Sequence, residues 1–299
     1  MRVTNLLLGF LASTAAGVGF AGAASAKTLN AVASFTVLAD VVKQVGGDHI
    51  NVKSLVPPDG DPHEFEPSPN DAKSLKEADI TFLSGEGLET WFEKLVTASG
   101  YGGTPYVVSK GIKTRKMEED GKTVTDPHVW NSPVNVKIWV ANIEKALAAA
   151  DPADAADFKA NATKYSKELD DLNTYAKSVL ETVPKDRRKI LTSHDAFGYF
   201  GREYGVQFLS PVGLSTETEA SAADVAKLID QIKTEKVKTY FFENSNDSRL
   251  VEQIAKATGA QPGGELYVES LSKADGPAPT YTKMFHYNVE QISKAFAGT

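Results

Sequence analysis

The sequence predicts an α/β protein with two (β/α) lobes, each built on a mostly parallel sheet, joined by one long rigid helix. Two observations support this class. Short buried strands alternate with amphipathic helices in both halves of the chain. Between the halves, residues 153–183 contain no glycine or proline and carry apolar side chains at helical spacing. A long surface helix of a single domain would show the same pattern, and it is the alternative for this segment.

The N-terminal residues indicate export. An apolar run over residues 6–23 leads to Ala24-Ser25-Ala26, the small-x-small pattern that a signal peptidase cuts. We expect residues 1–26 to be a cleaved signal peptide and the mature periplasmic chain to begin at Lys27. A retained membrane anchor is the alternative, but the run is short and interrupted by polar residues and glycines.

Composition narrows the function classes. Removing 26 residues from 299 leaves 273, enough for two domains of ordinary size, and removing Arg2 changes the net charge from −7 to −8. An acidic exported protein is a poor binder of nucleic acid and a reasonable binder of small cations. The chain has no cysteine, so no disulfide is expected. We also expect no lipid anchor, and contact with the membrane only through a partner.

The first lobe is expected over residues 27–152. A serine-proline pair, Ser68 and Pro69, has the N-cap and N1 chemistry that begins a helix, and Ser132 and Pro133 repeat it. Residues 109–125 are polar, so we expect an exposed loop there. Four strands are predicted: Leu29 to Phe35, Ile50 to Val56, Ile80 to Leu83 and Tyr106 to Val108.

The linking helix is expected over residues 153–183 and the second lobe over residues 184–299. The same strand and helix alternation returns in this lobe. Strands are predicted at Ile190 to Thr192, Gln207 to Ser210, Val237 to Phe242 and Glu265 to Val268, with helices at Ala222 to Lys233, Asp247 to Ala257 and Thr280 to Phe296.

One tripeptide occurs twice, as Asp61-Pro62-His63 and as Asp126-Pro127-His128. Proline fixes its own φ and restricts the residue before it, so each loop holds its imidazole in a defined direction. Each copy leads into one of the two serine-proline helix starts. We call the two segments the DPH loops and expect each of them to hold one histidine side chain in a fixed orientation.

Four candidate ligands share the ends of strands or the matched loops. His63 follows the second strand, His194 follows Thr192, Glu269 follows Val268, and the loop of His128 matches that of His63. The carboxyl ends of parallel strands face one crevice, where open α/β sheets bind ligands. If all four converge, three imidazoles and one carboxylate form a set well suited to zinc.

Each candidate has competitors. A single histidine is more often structural, and we expect His49 and His286 to be so. Rivals for the carboxylate are Glu243, which also ends a strand, Asp275 in a turn, and the pair Glu217 and Glu219.

Two sequence patterns give weak support for an enzymatic function. Ser193-His194-Asp195 contains the residue types of a catalytic triad, but side chains adjacent in sequence do not normally converge. Gly85-Glu86-Gly87 begins a dinucleotide fingerprint that the following residues do not complete. An exported metal-dependent hydrolase and an exported adhesin or structural protein remain the other classes.

The DPH loops, Thr192 to Phe197, Gly213 to Glu217 and Gly276 to Tyr281 together resemble the zinc and manganese substrate-binding proteins of ABC importers, of the ZnuA, TroA and AztC type. The resemblance covers essentially the whole mature chain. It implies a non-enzymatic receptor that holds a metal between two lobes, and ligands at His63, His128, His194 and Glu269. The expected partners are an ABC permease with its ATPase, and a periplasmic metallochaperone, for a monomeric protein.

Two departures from the family pattern bear on the metal. The family usually has aspartate where this chain has Glu269, and residues 109–125 lack the histidines of the loop that many zinc-specific members carry. His194 stands where related manganese binders commonly have a carboxylate. Because imidazole suits zinc and manganese prefers oxygen, we expect Zn²⁺, with Mn²⁺ or iron as the alternative.

Overall fold

A computed structural model describes residues 28–119, 122–217 and 219–297, without the side chains of residues 117–119. The expected signal peptide, residues 1–26, and the expected mature start at Lys27 lie outside the described residues. Among the described helices, none combines the length and the apolar character needed to cross a bilayer.

The first lobe is built on a four-stranded sheet in the order β2-β1-β3-β4, with every neighbouring pair parallel. Its second helix begins as the sequence predicts, since Ser68 and Asp71 form a capping box with Pro69 at the first helical position. The strands are β1 (Leu29–Ala33), β2 (Ile50–Ser54), β3 (Ile80–Leu83) and β4 (Tyr106–Val107), and the helices are α1 (Thr36–Gly46), α2 (Pro69–Lys76), α3 (Phe92–Ser99) and α4 (Pro133–Ala150).

The segment between the DPH loops differs from the expectation. Residues 109–125, expected as a loop, contain an antiparallel hairpin of β5 (Lys116–Glu119) and β6 (Lys122–Thr125). Its second strand is exposed at Lys122 and Thr123 and half-buried beyond them. A strand that buries so little surface has no alternation of apolar and polar residues, which is the pattern by which strands are recognised. The hairpin could therefore not be predicted from the sequence.

The second lobe repeats the architecture. Its sheet has the order β10-β9-β7-β8, again parallel throughout. The short helix α6, which contains Gly198 and Gly201, is an element that periodicity did not reveal. The strands are β7 (Lys189–Leu191), β8 (Gln207–Leu209), β9 (Thr239–Glu243) and β10 (Gln261–Leu266), and the helices are α6 (Gly198–Tyr204), α7 (Ala222–Glu235), α8 (Arg249–Thr258) and α9 (Tyr281–Ala297).

A single long helix, α5 (Ala155–Leu180), lies between the two sheets in the chain. Its 26 residues span about 39 Å. It packs against α1 and α4 of the first lobe and against α9 of the second. Its buried residues belong to one apolar cluster that also includes Val37 of the first lobe and Phe285 of the second. The two lobes therefore share a core along α5, and the crevice between them lies at the carboxyl ends of both sheets.

Candidate metal centre

The structure brings the four predicted side chains to one point between the lobes. Nε2 of His63 lies 3.2 Å from Nε2 of His128, which lies 3.3 Å from Nε2 of His194. Oε1 of Glu269 is 2.8, 3.0 and 3.2 Å from the Nε2 atoms of His63, His128 and His194. All four residues are at most 4% exposed. In the described part of the chain, they are the one fully buried group of histidine and carboxylate side chains close enough together to hold a metal ion.

The separations between the imidazole nitrogens are close to those around a tetrahedral ion, whereas the three distances from Oε1 of Glu269, 2.8–3.2 Å, are hydrogen-bond distances. With metal–ligand bonds of about 2.0–2.2 Å, neighbouring ligand atoms of a tetrahedron lie about 3.3–3.6 Å apart. The two separations between imidazole nitrogens are 3.2 and 3.3 Å. Oε2 of Glu269 is buried and has no hydrogen-bond partner among the described residues. Because a buried polar atom without a partner is costly, this second oxygen is a donor that a cation could also use.

The opposite nitrogen of two imidazoles is held by a carboxylate. Nδ1 of His128 lies 3.0 Å from Oδ1 of Asp126, and Nδ1 of His194 lies 2.5 Å from Oε2 of Glu243. A neutral imidazole that donates its Nδ1 proton to a carboxylate turns its Nε2 lone pair toward the centre. Glu243, a sequence rival for the ligand carboxylate, thus lies behind His194, where its Oε1 also accepts the N–H groups of Ser193 and His194.

The aspartates of the DPH loops shape the loops themselves. The backbone N–H of His63 donates to Oδ1 of Asp61 at 2.7 Å, and that of His128 donates to Oδ1 of Asp126 at 3.0 Å. The sequence analysis predicted a role only for the histidines of these loops. The role of the aspartates could have been inferred, because in both copies an aspartate stands two residues before the histidine.

Two tryptophans fix the loops to the framework. Nε1 of Trp91 donates to the carbonyl of Pro62 at 2.7 Å. Nε1 of Trp130 donates at 2.7 Å to the carbonyl of Val268, the residue before Glu269. The second hydrogen bond joins the second DPH loop of the first lobe to the segment that follows β10 and carries Glu269.

Burial and the neighbouring charges shift the pKa values of the clustered side chains in opposite directions. Burial lowers the pKa of His128, but its hydrogen bonds with Asp126 and Glu269 outweigh this and raise it. Burial likewise lowers the pKa of His194, while the charges of Glu243 and Glu269 raise it well above the ordinary histidine value. Burial raises the pKa of Glu269, and the nearby charges of His63 and His194 hold it well below its usual range. Without a metal, the imidazoles of His128 and His194 therefore retain protons that a cation has to displace.

Asp61 shares this environment. Burial and the neighbouring charge of Glu269 raise its pKa to about 6. Its Oδ2 accepts a hydrogen bond of 2.7 Å from Thr216 of the second lobe. The first DPH loop is thereby joined to the opposite lobe as well.

The other candidates lie elsewhere. His49 has Asp154 at 2.8 Å from Nδ1 and Asp157 at 3.0 Å from Nε2, so the two carboxylates approach opposite sides of its ring. His286 stacks on Tyr175 with ring centroids 4.2 Å apart. Exposed positions hold the remaining carboxylate rivals, Asp275, Glu217 and Glu219.

The Ser193-His194-Asp195 sequence does not form a triad. The Oγ atom of Ser193 makes no hydrogen bond to any described group, and Nδ1 of His194 faces Glu243. A nucleophile without a base within hydrogen-bond reach lacks the geometry of acyl-transfer chemistry.

A family model described as the zinc-uptake complex component A, periplasmic, ZnuA, matches residues 31–295. The chain belongs to this family. The resemblance carried by the DPH loops is confirmed, and so is the two-lobe α/β class. ZnuA-family proteins are substrate-binding components of metal uptake, which places the chain in a transport family rather than an enzyme family.

Proteins with similar sequences are named for different metals. Iron-binding protein YfeA of Yersinia pestis is 33% identical over 91% of this chain and 88% of its own length. The manganese ABC transporter substrate-binding lipoprotein PsaA of Streptococcus mitis is 32% identical over 98% and 97%. The family class is therefore shared, while zinc is not singled out. The lipoprotein name also conflicts with the expected absence of a lipid anchor.

Solved structures support the same architecture. The periplasmic zinc binding protein TroA from Treponema pallidum has a TM-score of 0.85 and 29% identity, covering 90% of this chain and 99% of that chain. A Mn-bound periplasmic metal binding protein from Candidatus Liberibacter asiaticus has a TM-score of 0.81 and 30% identity, with coverage of 90% and 99%.

Replacing the carboxylate behind His128 tests its positioning role. Asp126→Asn should weaken metal binding by about tenfold or more, because an amide stabilises the imidazole orientation and basicity less well than a carboxylate. Competition with a chromogenic chelator would measure the affinity, and circular dichroism would confirm the fold. Asp275→Asn, at an exposed rival carboxylate, is the matched control and should leave the affinity unchanged. Equal affinity of Asp126→Asn and the parent would contradict the assignment.

Proposed function

We propose that this protein is the periplasmic receptor of an ABC importer, which captures a divalent metal between its lobes and delivers it to a membrane permease with its ATPase. His63, His128, His194 and Glu269 are the proposed ligands. The observation that carries the proposal is the convergence of four buried donor atoms, each within 2.8–3.3 Å of at least two of the others. Family membership supports the transport role.

The donor set favours binding over catalysis. Four protein ligands complete a tetrahedral shell, whereas catalytic zinc sites keep one position open for water or substrate. We infer that the ion is cargo and that the protein has no enzymatic activity of its own.

Zinc is the proposed physiological cargo. Three imidazoles are softer donors than the oxygen-rich sets that manganese prefers, and the separations between imidazole nitrogens suit bonds of about 2.0 Å. Manganese or iron is the alternative within the same family. One observation favours it, because the second oxygen of Glu269 is free to add a fifth donor.

The proposal includes the organisation and location of the chain. Residues 27–152 and 184–299 would form the metal-binding lobes, with residues 153–183 as the linking helix. Export by a cleaved signal peptide over residues 1–26 would bring a monomeric protein into the periplasm, where a metallochaperone is a further candidate partner. The absence of cysteine supports a protein released without a lipid anchor.

Alanine substitution of one ligand from each lobe tests the site. His63→Ala and His194→Ala should each weaken Zn²⁺ binding by at least about 100-fold, because each removes a direct donor whereas outer positioning groups account for 10- to 100-fold. Isothermal titration calorimetry of chelator-treated protein would measure this. The matched control is His286→Ala, which removes a histidine outside the cluster and should bind like the parent. Unchanged binding by either ligand variant would refute the site.

Metal affinity should fall with decreasing pH. Binding requires neutral imidazoles, and the pKa values of His128 and His194 are raised, so proton competition begins above the ordinary histidine pKa of about 6.5. Affinity should therefore rise from pH 6 through pH 8, with protons released on binding. Competition titrations at several pH values and buffers of different ionisation enthalpy would measure both. An affinity independent of pH would contradict imidazole ligation.

A further inference from the structure

The hairpin of β5 and β6 ends where the second DPH loop begins. At its base, the backbone N–H of Asp126 donates to the carbonyl of Arg115 at 2.9 Å, and Nη1 of Arg115 donates to Oδ2 of Asp126 at 2.8 Å. The side chain of Asp126 is fully buried, whereas that of Arg115 is 30% exposed. The hairpin therefore holds an arginine against the carboxylate that faces Nδ1 of His128.

The two oxygens of Asp126 have different partners. Oδ1 accepts the backbone N–H of His128 and lies 3.0 Å from Nδ1 of the same residue, while Oδ2 accepts from Arg115. Burial raises the pKa of Asp126, but its hydrogen bonds with His128 and Arg115 outweigh this and lower it. A carboxylate with both oxygens engaged by charge-assisted hydrogen bonds is held in one orientation. Arg115 thus fixes the group that orients His128.

A tyrosine of the second lobe bridges the same two residues. The hydroxyl of Tyr199 accepts the backbone N–H of Arg115 at 3.0 Å and donates to the carbonyl of Asp126 at 2.9 Å. Burial raises the pKa of Tyr199 to about 12, so the hydroxyl keeps the proton that it donates. Tyr199 belongs to α6, which follows the segment of His194 closely in the chain. The bridge therefore connects the loop of one proposed ligand to the segment of another.

The residue before Tyr199 leaves room for the ion pair. A Cβ atom on Gly198 would lie 1.8 Å from Nη1 of Arg115 and 2.5 Å from Oδ2 of Asp126. A side chain at this position would push the guanidinium group away from the carboxylate, so the beginning of α6 can pack against the pair only as glycine. We call these four residues the clasp: Arg115, Asp126, Gly198 and Tyr199.

We propose that the clasp positions the imidazole of His128 for metal binding and does so from both lobes. Arg115 and Tyr199 are positioning residues, because they contact Asp126 and Asp126 contacts His128. Since α6 follows the His194 segment, the clasp also fixes the second DPH loop relative to that segment. This inference rests on the proposed function, because it concerns how one of the proposed ligands is held.

Removal of the guanidinium group tests the clasp. Arg115→Gln should weaken Zn²⁺ binding by about three- to tenfold, because it acts one contact further out than the direct partners of a ligand, whose loss costs about 10- to 100-fold. Arg115→Lys keeps the charge and should recover part of the affinity. Competition with a chromogenic chelator would measure both, and circular dichroism would confirm the fold.

The matched control for Arg115→Gln is Lys189→Gln. The Lys189 side chain is 26% exposed and pairs with Glu235 at 3.1 Å, so this change removes a cation of similar exposure from another ion pair. Lys189 begins β7, at the end of the strand opposite to the His194 segment. Lys189→Gln should therefore bind Zn²⁺ like the parent.

Gly198→Ala tests the same contact from the second lobe. Its methyl group should displace the flexible end of the Arg115 side chain and weaken Zn²⁺ binding by a similar factor. In the double variant Arg115→Gln/Gly198→Ala, the loss should be smaller than the product of the two single losses, because both changes act on the orientation of one carboxylate. Fully multiplicative losses would show that the two positions act independently and would contradict the clasp.

A proton signal separates positioning from a general loss of stability. In the Zn²⁺-loaded protein, Nδ1–H of His128 faces Asp126 and Nδ1–H of His194 faces Glu243, so nuclear magnetic resonance of ¹⁵N-labelled histidine can observe both. Arg115→Gln should shift or broaden the His128 signal and leave the His194 signal in place.

An unchanged His128 signal, or a Zn²⁺ affinity equal to that of the parent, would overturn the clasp even if Arg115→Gln unfolds at a lower temperature. Failure of the parent protein to bind one equivalent of Zn²⁺ would instead overturn the proposed function, so the two failures are distinguishable.

Discussion

The carboxylate of Glu269 is fully removed from water, and the imidazoles of His63, His128 and His194 surround it. A charge in such a place is costly unless other groups or an ion balance it. The imidazoles of His128 and His194 do so as protonated partners, in keeping with their raised pKa values and the lowered pKa of Glu269. A divalent cation can replace those protons at the same atoms. The remaining structure serves to keep these four groups in place.

Secondary-structure elements of both lobes hold these four side chains in place. Parallel sheets deliver His194 and Glu269 at strand ends, and the DPH loops deliver the two first-lobe imidazoles. Hydrogen bonds between the lobes then hold the DPH loops against the second lobe. Trp130 reaches the carbonyl of Val268, and Asp61 accepts from Thr216. Because α5 shares one apolar core with both lobes, relative motion of the lobes has to deform that core.

Much of this was accessible from the sequence because its signals are local. Strand and helix alternation predicted the class, and the two serine-proline pairs predicted where α2 and α4 begin, although the Oγ of Ser132 makes no capping hydrogen bond. The rule about strand ends placed both Glu269 and its rival Glu243 near His194, and the family resemblance favoured Glu269. Partners distant in sequence were not accessible. Nothing local indicates that Glu243 lies behind His194 or that Trp130 reaches Val268. The exposed hairpin and α6 were missed because they lack a clear apolar period.

The central claim is that His63, His128, His194 and Glu269 bind one transported metal ion. Anomalous diffraction from crystals of natively loaded protein, recorded on both sides of the zinc absorption edge, tests it most directly. The account predicts one strong peak at the centre of the four side chains, present above the zinc edge and weak below it. A peak that does not change across the zinc edge would contradict zinc as the cargo. A metal peak elsewhere, with none between these four side chains, would contradict the site itself.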